Sequence, residues 1–206
     1  VMLDALLSAY VPEVKDFLAV HIDLGFDKSG RSTERLRDFL ESRGIKYVLE
    51  STDIGVRAHK ECGRESPCFL CSFWRRKRIF ELAVEHGCNR IAMGHHKDDI
   101  VETLFLNIMY HAEFGTIPPV QEYFGGLFSL IRPMVYVSRE MILHYAKREG
   151  IVPLVNLCPT AEHTKRKKVQ EMLVLMGDRK RIRDNAFLSM SNIKWERLVR
   201  LQDDKD

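Results

Sequence analysis

Buried-strand patterns alternate with amphipathic helical patterns along the first 150 residues of this 206-residue chain. The strand patterns lie at residues 16–23, 45–50 and 89–93, and the helical patterns at residues 33–43, 73–86, 98–110 and 138–150. This alternation predicts a mainly parallel sheet that is covered by helices on both faces. We therefore predict a doubly wound α/β fold, in which ligands bind at the carboxyl ends of the strands.

The remaining segments have weaker patterns. We predict a helix at residues 2–10, a strand at residues 131–137 and a long loop at residues 113–130, and we leave residues 51–67 unassigned. Two basic helices are predicted at residues 163–176 and 183–201. The chain thus divides into an α/β domain over residues 1–158 and a short, basic helical extension over residues 159–206.

Composition restricts the class of protein. No apolar run approaches the roughly 18–20 residues that a membrane-spanning helix needs, and no secretory signal is visible, so we expect no membrane partner. The chain has five cysteines, an odd number with irregular spacing, which argues against a disulfide framework. We therefore expect a cytoplasmic protein, in which a C-x-x-C pair more often binds a metal or performs redox chemistry.

Three of these cysteines are the first candidate site. Cys68 and Cys71 form the C-x-x-C pair, and Cys158 lies far downstream. Three soft ligands are one short of a closed tetrahedral site, so their convergence would leave a coordination position open for chemistry. Cys62 is available as a further ligand, which keeps a closed zinc site open as an alternative.

The second candidate site lies where a strand pattern ends and a helix pattern begins. Gly94 allows a phosphate to approach the backbone, and the following helix N-terminus favours anions. Asp98 and Asp99 suit a magnesium ion that bridges to phosphate oxygens, although two acids in a first helical turn also stabilise the helix dipole. We expect His95, which directly follows the glycine, to be in the site.

Clusters of basic residues flank the cysteines. The formal net charge is only +3, but a basic run follows the C-x-x-C pair and two more follow Cys158. Such clusters fit a polyanionic substrate, and the alternative is that they form solvated helix faces balanced by the 29 acidic residues. A second subunit would also cover them, so a homodimer is open.

These segments together resemble the tRNA 2-thiocytidine synthetase family of PP-loop ATP pyrophosphatases. The resemblance covers nearly the whole chain in order and spacing. The matching motifs are Cys68-x-x-Cys71 with Ser72 and Arg75-Arg76, Gly94-His95-His96-x-Asp98-Asp99-x-x-Glu102-Thr103, Pro118-Pro119, Ile131-Arg132-Pro133 and Asn156-Leu157-Cys158.

The resemblance implies an ATP-binding fold and a [4Fe-4S] cluster held by Cys68, Cys71 and Cys158, with the fourth iron free to hold a sulfur atom. It further implies that ATP adenylates a nucleobase oxygen, with Mg²⁺ at the nucleotide, and that sulfur then displaces AMP. The expected substrate is tRNA, with cytidine in the anticodon loop as the target. A sulfur donor such as a cysteine desulfurase is the expected protein partner.

The resemblance also implies roles for individual residues. Asp99, with Asp98, serves magnesium and the nucleotide phosphates, and His95 contacts the nucleotide or the adenylated intermediate. Asp23 lies at a strand end where adenosine is expected, and Gly94 is expected on the phosphate side of the nucleotide. The residues expected to steer the RNA backbone are Arg75, Arg76, Lys165, Arg166 and Lys168.

One motif of the family is absent from the sequence. Its phosphate loop, of S-G-G-x-D-S type, is expected just before Val1, because residues 2–7 look like the helix that follows that loop. We expect that the chain starts late and that it binds ATP poorly without those backbone N–H donors. Two rival functions stay open: a cluster-dependent desulfidase of thiolated nucleobases that needs no ATP, and a zinc-stapled RNA-binding module without catalysis.

Overall fold

The computed structural model describes residues 17–199, so the predicted helix at residues 2–10 lies outside the described residues. Five strands and seven α-helices form within this range. They are β1 (Ala19–Asp23), α1 (Arg31–Ser42), β2 (Tyr47–Ser51), α2 (Ile54–Glu61), α3 (Pro67–Glu85), β3 (Arg90–Ala92), α4 (Lys97–His111), β4 (Val120–Tyr123), β5 (Phe128–Ile131), α5 (Arg139–Arg148), α6 (Lys165–Leu175) and α7 (Arg179–Ser189).

The described strands form two small sheets. Strands β1 and β2 pair in parallel, with Ala19 opposite Tyr47 and Asp23 opposite Ser51. In the second sheet β5 lies between β3 and β4, parallel to β3 and antiparallel to β4. Within residues 17–199 no backbone pairing joins the two sheets. Helices separate the parallel strands along the chain, as the alternating sequence pattern predicts.

Helices cover both faces of β1. On one face, Ala19 packs in a buried cluster with Leu40 and Ile45. On the other face, Ile22 packs with Ile54 of α2 and Leu82 of α3. Positions 19 and 22 point to opposite faces because side chains alternate along a strand. This arrangement confirms the predicted α/β architecture.

The sequence interpretation was wrong in two segments and left a third unassigned. Residues 113–130, predicted as a loop, contain the hairpin of β4 and β5, and residues 132–137 turn rather than extend. Residues 51–67 contain α2. Each hairpin strand has only four residues, which is too short to show a period, and the glycines at 125 and 126 sit in the turn between them.

Helix α3 begins six residues before its predicted start at residue 73. The side chain of Ser66 accepts a hydrogen bond from the backbone N–H of Phe69, and Pro67 occupies the first helical position. Both residues suit a helix start, because serine satisfies a free N–H group and proline lacks one. The C-x-x-C pair therefore lies in the first turns of a helix and not in a loop.

The helices of the predicted extension pack against the α/β part. Val169 and Leu173 of α6 form a buried cluster with Val101 of α4, and side chains of α7 pack around it. The last predicted helix, at residues 183–201, is found earlier as α7. No helix among residues 17–199 is long and apolar enough to cross a membrane.

We expect Leu173→Ala to lower the free energy of unfolding by about 2–5 kcal/mol, because it opens a cavity between α4 and α6. Leu175 lies on the same helix with 86% of its surface exposed, against 8% for Leu173, so Leu175→Ala should change stability by less than about 0.5 kcal/mol. Urea unfolding measures both. Equal effects of the two substitutions would contradict a core shared by α4 and the extension.

Candidate functional site

Cys68 and Cys71 lie on one face at the start of α3. Residues three apart on a helix are neighbours on its surface, so both thiols face the same side. Cys68 is exposed and Cys71 is half-buried. The Cys71 side chain packs against the apolar cluster around Ile22 and Leu82, which anchors the pair to the core of the domain.

Cys158 is held by a hydrogen-bonded loop. The side-chain oxygen of Asn156 accepts from the backbone N–H of Cys158 at 3.1 Å. Thr160 Oγ1 lies 3.5 Å from the sulfur of Cys158 and 3.1 Å from Nε2 of His59. Nδ1 of His59 lies 2.8 Å from the carbonyl oxygen of Gly55, so helix α2 fixes the position of the loop.

The three thiols lie within electrostatic reach of one another. Burial raises the pKa of the Cys71 thiol, Arg75 opposes that rise, and Cys158 and Cys68 add to it. Three thiols around one helix start fit an iron–sulfur cluster, whose thiolate ligands bind different iron atoms. A closed zinc centre fits less well. It needs four ligands, the Cys62 sulfur donates to the carbonyl of His59, and within residues 17–199 no three His, Cys, Asp or Glu side chains are grouped to hold one metal ion.

A large cleft of about 500 Å³ lies at the carboxyl ends of β1 and β3. Two predicted nucleotide contacts, Asp23 and Gly94, both line it, and so does Arg75 of α3. Residues 154–157, which lead directly to Cys158, form another wall. The volume lies within the range of ligand pockets, roughly 300–1,000 Å³. The cleft therefore joins two of the predicted nucleotide residues to the cysteine loop, whereas the other three, His95, Asp98 and Asp99, are not in its lining.

The turn after β1 shapes one end of this cleft. The Asp23 carboxylate accepts a hydrogen bond from the backbone N–H of Gly25, and Thr52 Oγ1 donates to the carbonyl oxygen of Asp23. Gly25 has a φ of +82°, and a Cβ there would lie 2.7 Å from the carbonyl oxygen of Thr52. Only glycine fits this position, because both the backbone conformation and the space exclude a side chain.

Asp98, a predicted magnesium ligand, is buried and surrounded by protein partners. One carboxylate oxygen accepts from the backbone N–H of Arg139 at 2.8 Å, and the other lies 3.4 Å from Nη1 of Arg183 and 3.9 Å from Nη2 of Arg179. Arg183 is also buried and pairs with Glu140. Asp98 thus connects the starts of α4 and α5 to α7.

Asp99 is less buried than Asp98 and acts electrostatically on His95. One of its oxygens accepts from the backbone N–H of His96 at 2.9 Å, which caps α4. The other lies 3.4 Å from Nη1 of Arg166, and the same guanidinium nitrogen binds the buried Glu102 at 3.0 Å. Burial raises the pKa of Glu102, and Arg166 and Gln170 oppose that rise.

His95 lies among charged side chains. Burial lowers the pKa of its imidazole, Asp99 acts in the opposite direction, and the guanidinium groups of Arg132, Arg166 and Arg75 lower it further. Nδ1 of this ring is buried without a hydrogen-bond partner in the described part of the chain. A neutral imidazole with a free nitrogen can accept a proton or a hydrogen bond from a ligand.

The predicted RNA-binding residues occupy two places. Arg75 and Arg76 are exposed on α3 beside the cysteines. On α6, Lys165 lies over the ring of Tyr110 at 4.5 Å and Lys168 is exposed, whereas Arg166 points toward Asp99 and Glu102. The two groups of cations therefore flank the segment that contains His95.

Three residues near the site were missed by the sequence interpretation. Arg132 acts electrostatically on His95, and His59 and Thr160 hold the loop of Cys158. The Ile131-Arg132-Pro133 motif of the family was a sequence signal that could have identified Arg132. His59 lies in α2, which has no clear period in the sequence, and nothing local singles out Thr160.

Comparison with known proteins identifies relatives of this chain. Residues 1–170 match the family model ATP_bind_3, described as a PP-loop domain. The tRNA-cytidine(32) 2-sulfurtransferase of Marinobacter nauticus is 36% identical over 173 residues, which cover 83% of this chain and 57% of the relative. The enzyme of the same name from Ralstonia pickettii is 36% identical over 198 residues, which cover 93% of this chain and 62% of the relative. The chain thus spans about three fifths of the length of these curated relatives.

A solved structure shares the fold. The U34-tRNA thiolase NcsA from Methanococcus maripaludis, solved with its [4Fe-4S] cluster, aligns with a TM-score of 0.69 at 17% sequence identity. The alignment covers 92% of this chain and 64% of that chain.

We expect Arg183→Met to lower the free energy of unfolding by about 3–5 kcal/mol, because it removes the buried cation beside the buried carboxylate of Asp98. The half-exposed Arg179 that remains lies farther away, at 3.9 Å. Arg181 is on the same helix in an exposed pair with Asp178, so Arg181→Met should cost no more than about 1 kcal/mol. In urea unfolding, the double variant Asp98→Asn, Arg183→Met should lose less than the sum of the single variants. Additive losses would show that the two side chains do not interact.

We expect His95 to make stability depend on pH. Its pKa in the folded protein lies below the ordinary value of 6.5, so the unfolded chain binds more protons as the pH falls. Stability should therefore decrease from pH 6.5 downward, and His95→Gln should reduce that decrease. Urea midpoints at pH 7.5 and 5.5 test this, with His86→Gln at an exposed position as the control. An unchanged pH dependence in His95→Gln would contradict the lowered pKa.

Proposed function

Because the chain belongs to the PP-loop domain family, we propose that it forms the catalytic core of an ATP-dependent tRNA sulfurtransferase. The proposed reaction replaces the 2-oxygen of a cytidine in the anticodon loop with sulfur, as the names of the relatives describe for cytidine 32. The observation that carries this proposal is the position of three thiols beside a nucleotide-sized cleft, with Arg75 both lining the cleft and acting electrostatically on Cys71.

The cleft at the ends of β1 and β3 is the proposed nucleotide site. Parallel strands direct their carboxyl ends to one edge, where ligands of doubly wound folds bind. The backbone turn at Asp23 offers an edge for adenosine, and the open space around Gly94 lets a phosphate approach the start of α4. The family match over residues 1–170 supports ATP as the nucleotide.

We assign different roles to the two acids of α4. Asp99 is the partly exposed carboxylate and the candidate contact for a magnesium ion that accompanies the nucleotide. The backbone N–H of Arg139 and the guanidinium of Arg183 bind the carboxylate of Asp98 and leave it less available to a metal ion. A magnesium role for Asp98 therefore stays a prediction. His95, which is neutral at pH 7 because burial lowers its pKa, accepts a hydrogen bond or a proton from the bound substrate.

Cys68, Cys71 and Cys158 are the proposed ligands of an iron–sulfur cluster. When bound, such a cluster supplies an iron that no protein thiolate ligates and that can carry the sulfur for transfer. The chain itself contributes the position of the thiols: α3 fixes the first two relative to the core, and Thr160 with His59 fixes the loop of the third.

The exposed cations are the proposed tRNA contacts. Arg75 and Arg76 lie next to the cysteines, and Lys165 and Lys168 lie on α6, so an RNA that spans both would cross the candidate site. Arg166 holds Asp99 and Glu102, and we propose that RNA or nucleotide phosphate competes with these acids for it.

The proposed partners and location follow from this chemistry. A sulfur donor, such as a cysteine desulfurase, must resupply the sulfur in each cycle. All five cysteines are free thiols, which fits the reducing cytoplasm. A homodimer and the division into residues 1–158 and 159–206 stay predictions.

We expect anaerobically purified protein to contain iron and acid-labile sulfide in near-equal amounts. We also expect it to form 2-thiocytidine in tRNA when Mg²⁺, sulfide and a large excess of ATP are supplied, because the chain is expected to bind ATP weakly. Cys158→Ser should lose iron, sulfide and product, because only two of the three thiolates remain. Cys62→Ser is the matched control, since the Cys62 sulfur donates to the carbonyl of His59 and is no proposed ligand. Iron and sulfide analysis and mass spectrometry of tRNA nucleosides are the measurements.

Two results would contradict the proposal. Zinc without sulfide in the parent protein would favour the zinc-stapled RNA-binding module. Iron and sulfide together with ATP-independent release of sulfide from thiolated nucleobases would favour the desulfidase.

A further inference from the structure

A second, smaller cavity of about 80 Å³ lies between α3 and the sheet of β3 and β5. Such a volume has room for several water-sized groups. It shares Arg75, Ile79 and Met93 with the large cleft, so the two spaces have a common wall. The cavity is a separate compartment beside the proposed nucleotide site.

The residues that line this cavity lie on one face of helix α3 and on one face of the neighbouring strands. From α3 it takes positions 72, 75, 76, 79 and 80, which share one helix face. From β3, its extension and β5 it takes positions 91, 93, 95, 130 and 132, which alternate toward one face of the sheet. Polar groups gather here, namely Ser72, Arg75, Arg76, His95 and Arg132, and no acidic side chain lines the space.

Arg132 is a buried cation in this cavity for which the surrounding residues of the described chain provide no counter-charge. Only 6% of its surface is exposed, and one guanidinium nitrogen donates to the carbonyl of Pro118. Its Nε is buried without a hydrogen-bond partner among residues 17–199. A buried cation usually has a counter-charge, because burial of an unpaired charge is costly. No ion pair of Arg132 with an acidic side chain is formed in the described part of the chain.

Neighbouring cations increase this unbalanced charge. Burial lowers the pKa of the Arg132 guanidinium, Tyr123 opposes that decrease, and Arg76 lowers the pKa further as a like charge. Neither Arg75 nor Arg76 forms an ion pair with an acid among the described residues. By contrast, Arg78 on the next turn of α3 binds Glu50, Glu81 and Glu85. Glu81 and Glu85, the acidic side chains of α3 that bind Arg78, therefore do not neutralise the cations that line the cavity.

We propose that the cavity binds one phosphate group, held by the guanidinium groups of Arg132, Arg75 and Arg76, with Ser72 and His95 as further hydrogen-bonding partners. Guanidinium groups match the geometry of phosphate oxygens and bind them with charge-assisted hydrogen bonds. The phosphate is either a free anion or a phosphodiester of the RNA substrate. Binding of a phosphate in this cavity does not depend on sulfur chemistry. The identification of that phosphate as part of an RNA substrate rests on the proposed function.

The test compares Arg76→Ala and Arg132→Met with Lys77→Ala. Lys77 is adjacent to Arg76 but exposed and paired with Glu81 outside the cavity, so its removal changes the net charge equally. Binding of inorganic phosphate is measured by calorimetry. Binding of an anticodon stem-loop RNA is measured by fluorescence anisotropy from 50 to 200 mM salt. Arg76 is exposed, so Arg76→Ala keeps the test valid if Arg132→Met does not fold.

We expect Arg76→Ala and Arg132→Met to weaken phosphate binding about tenfold or more, and Lys77→Ala to leave it unchanged. That result supports the site with a free anion. If inorganic phosphate does not bind the parent protein, a salt slope for RNA that falls by about one in Arg76→Ala, but not in Lys77→Ala, supports the site with a phosphodiester.

Equal behaviour of Arg76→Ala and Lys77→Ala in both measurements overturns the proposal, because only general surface charge would then remain. Failure of the proposed function is detected separately, by the iron, sulfide and thiocytidine measurements on the parent protein. A protein that binds phosphate in the cavity but holds no iron would keep this inference and lose the sulfurtransferase.

Discussion

The buried carboxylate of Asp98 is the constraint on which the arrangement of the helices depends. Because a buried charge must be met by donors, the start of α5 and the guanidinium of Arg183 both converge on it. The next residue, Asp99, lies about 100° further around the helix, caps α4 and contacts Arg166. Two adjacent acids therefore have separate roles: one attaches the C-terminal helices to the α/β part, and the other acts electrostatically on His95.

Charge is distributed unevenly around that site. The acids on the α4 side are paired, with Glu102 bound to Arg166 and Gln170. The cations on the α3 side, Arg75 and Arg76, have no acidic partner in the described chain. An anionic ligand that enters between α3 and α4 consequently meets unpaired positive charge on one side and already neutralised acids on the other. This asymmetry favours nucleotides and RNA over cationic or neutral ligands.

Much of this arrangement was readable from the sequence, and the failures have identifiable causes. The glycine at 94 and the acids after it mark a strand-to-helix junction, so the position of Asp99 and His95 follows from local chemistry. The β4–β5 hairpin could not be predicted from the sequence, because strands of four residues are too short to show a hydrophobic period. The partners of Asp98 were also unpredictable, since Arg183 lies 85 residues away and only tertiary packing selects it among the basic residues of its helix. The convergence of Cys158 on Cys71 came from the family resemblance and not from spacing.

The hydrogen bonds between His59 and Thr160 and between Thr160 and Cys158 have a consequence for loading of the proposed cluster. They link positions 101 residues apart in the sequence, so the third thiol is ordered by folding itself. Ordering a loop costs about 1–2 kcal/mol per residue, and here that entropy is lost before any metal arrives. The protein should therefore refold with the three proposed cysteine ligands in place, and reconstitution of the proposed cluster with iron and sulfide should be limited by delivery of the inorganic components and not by closure of the chain.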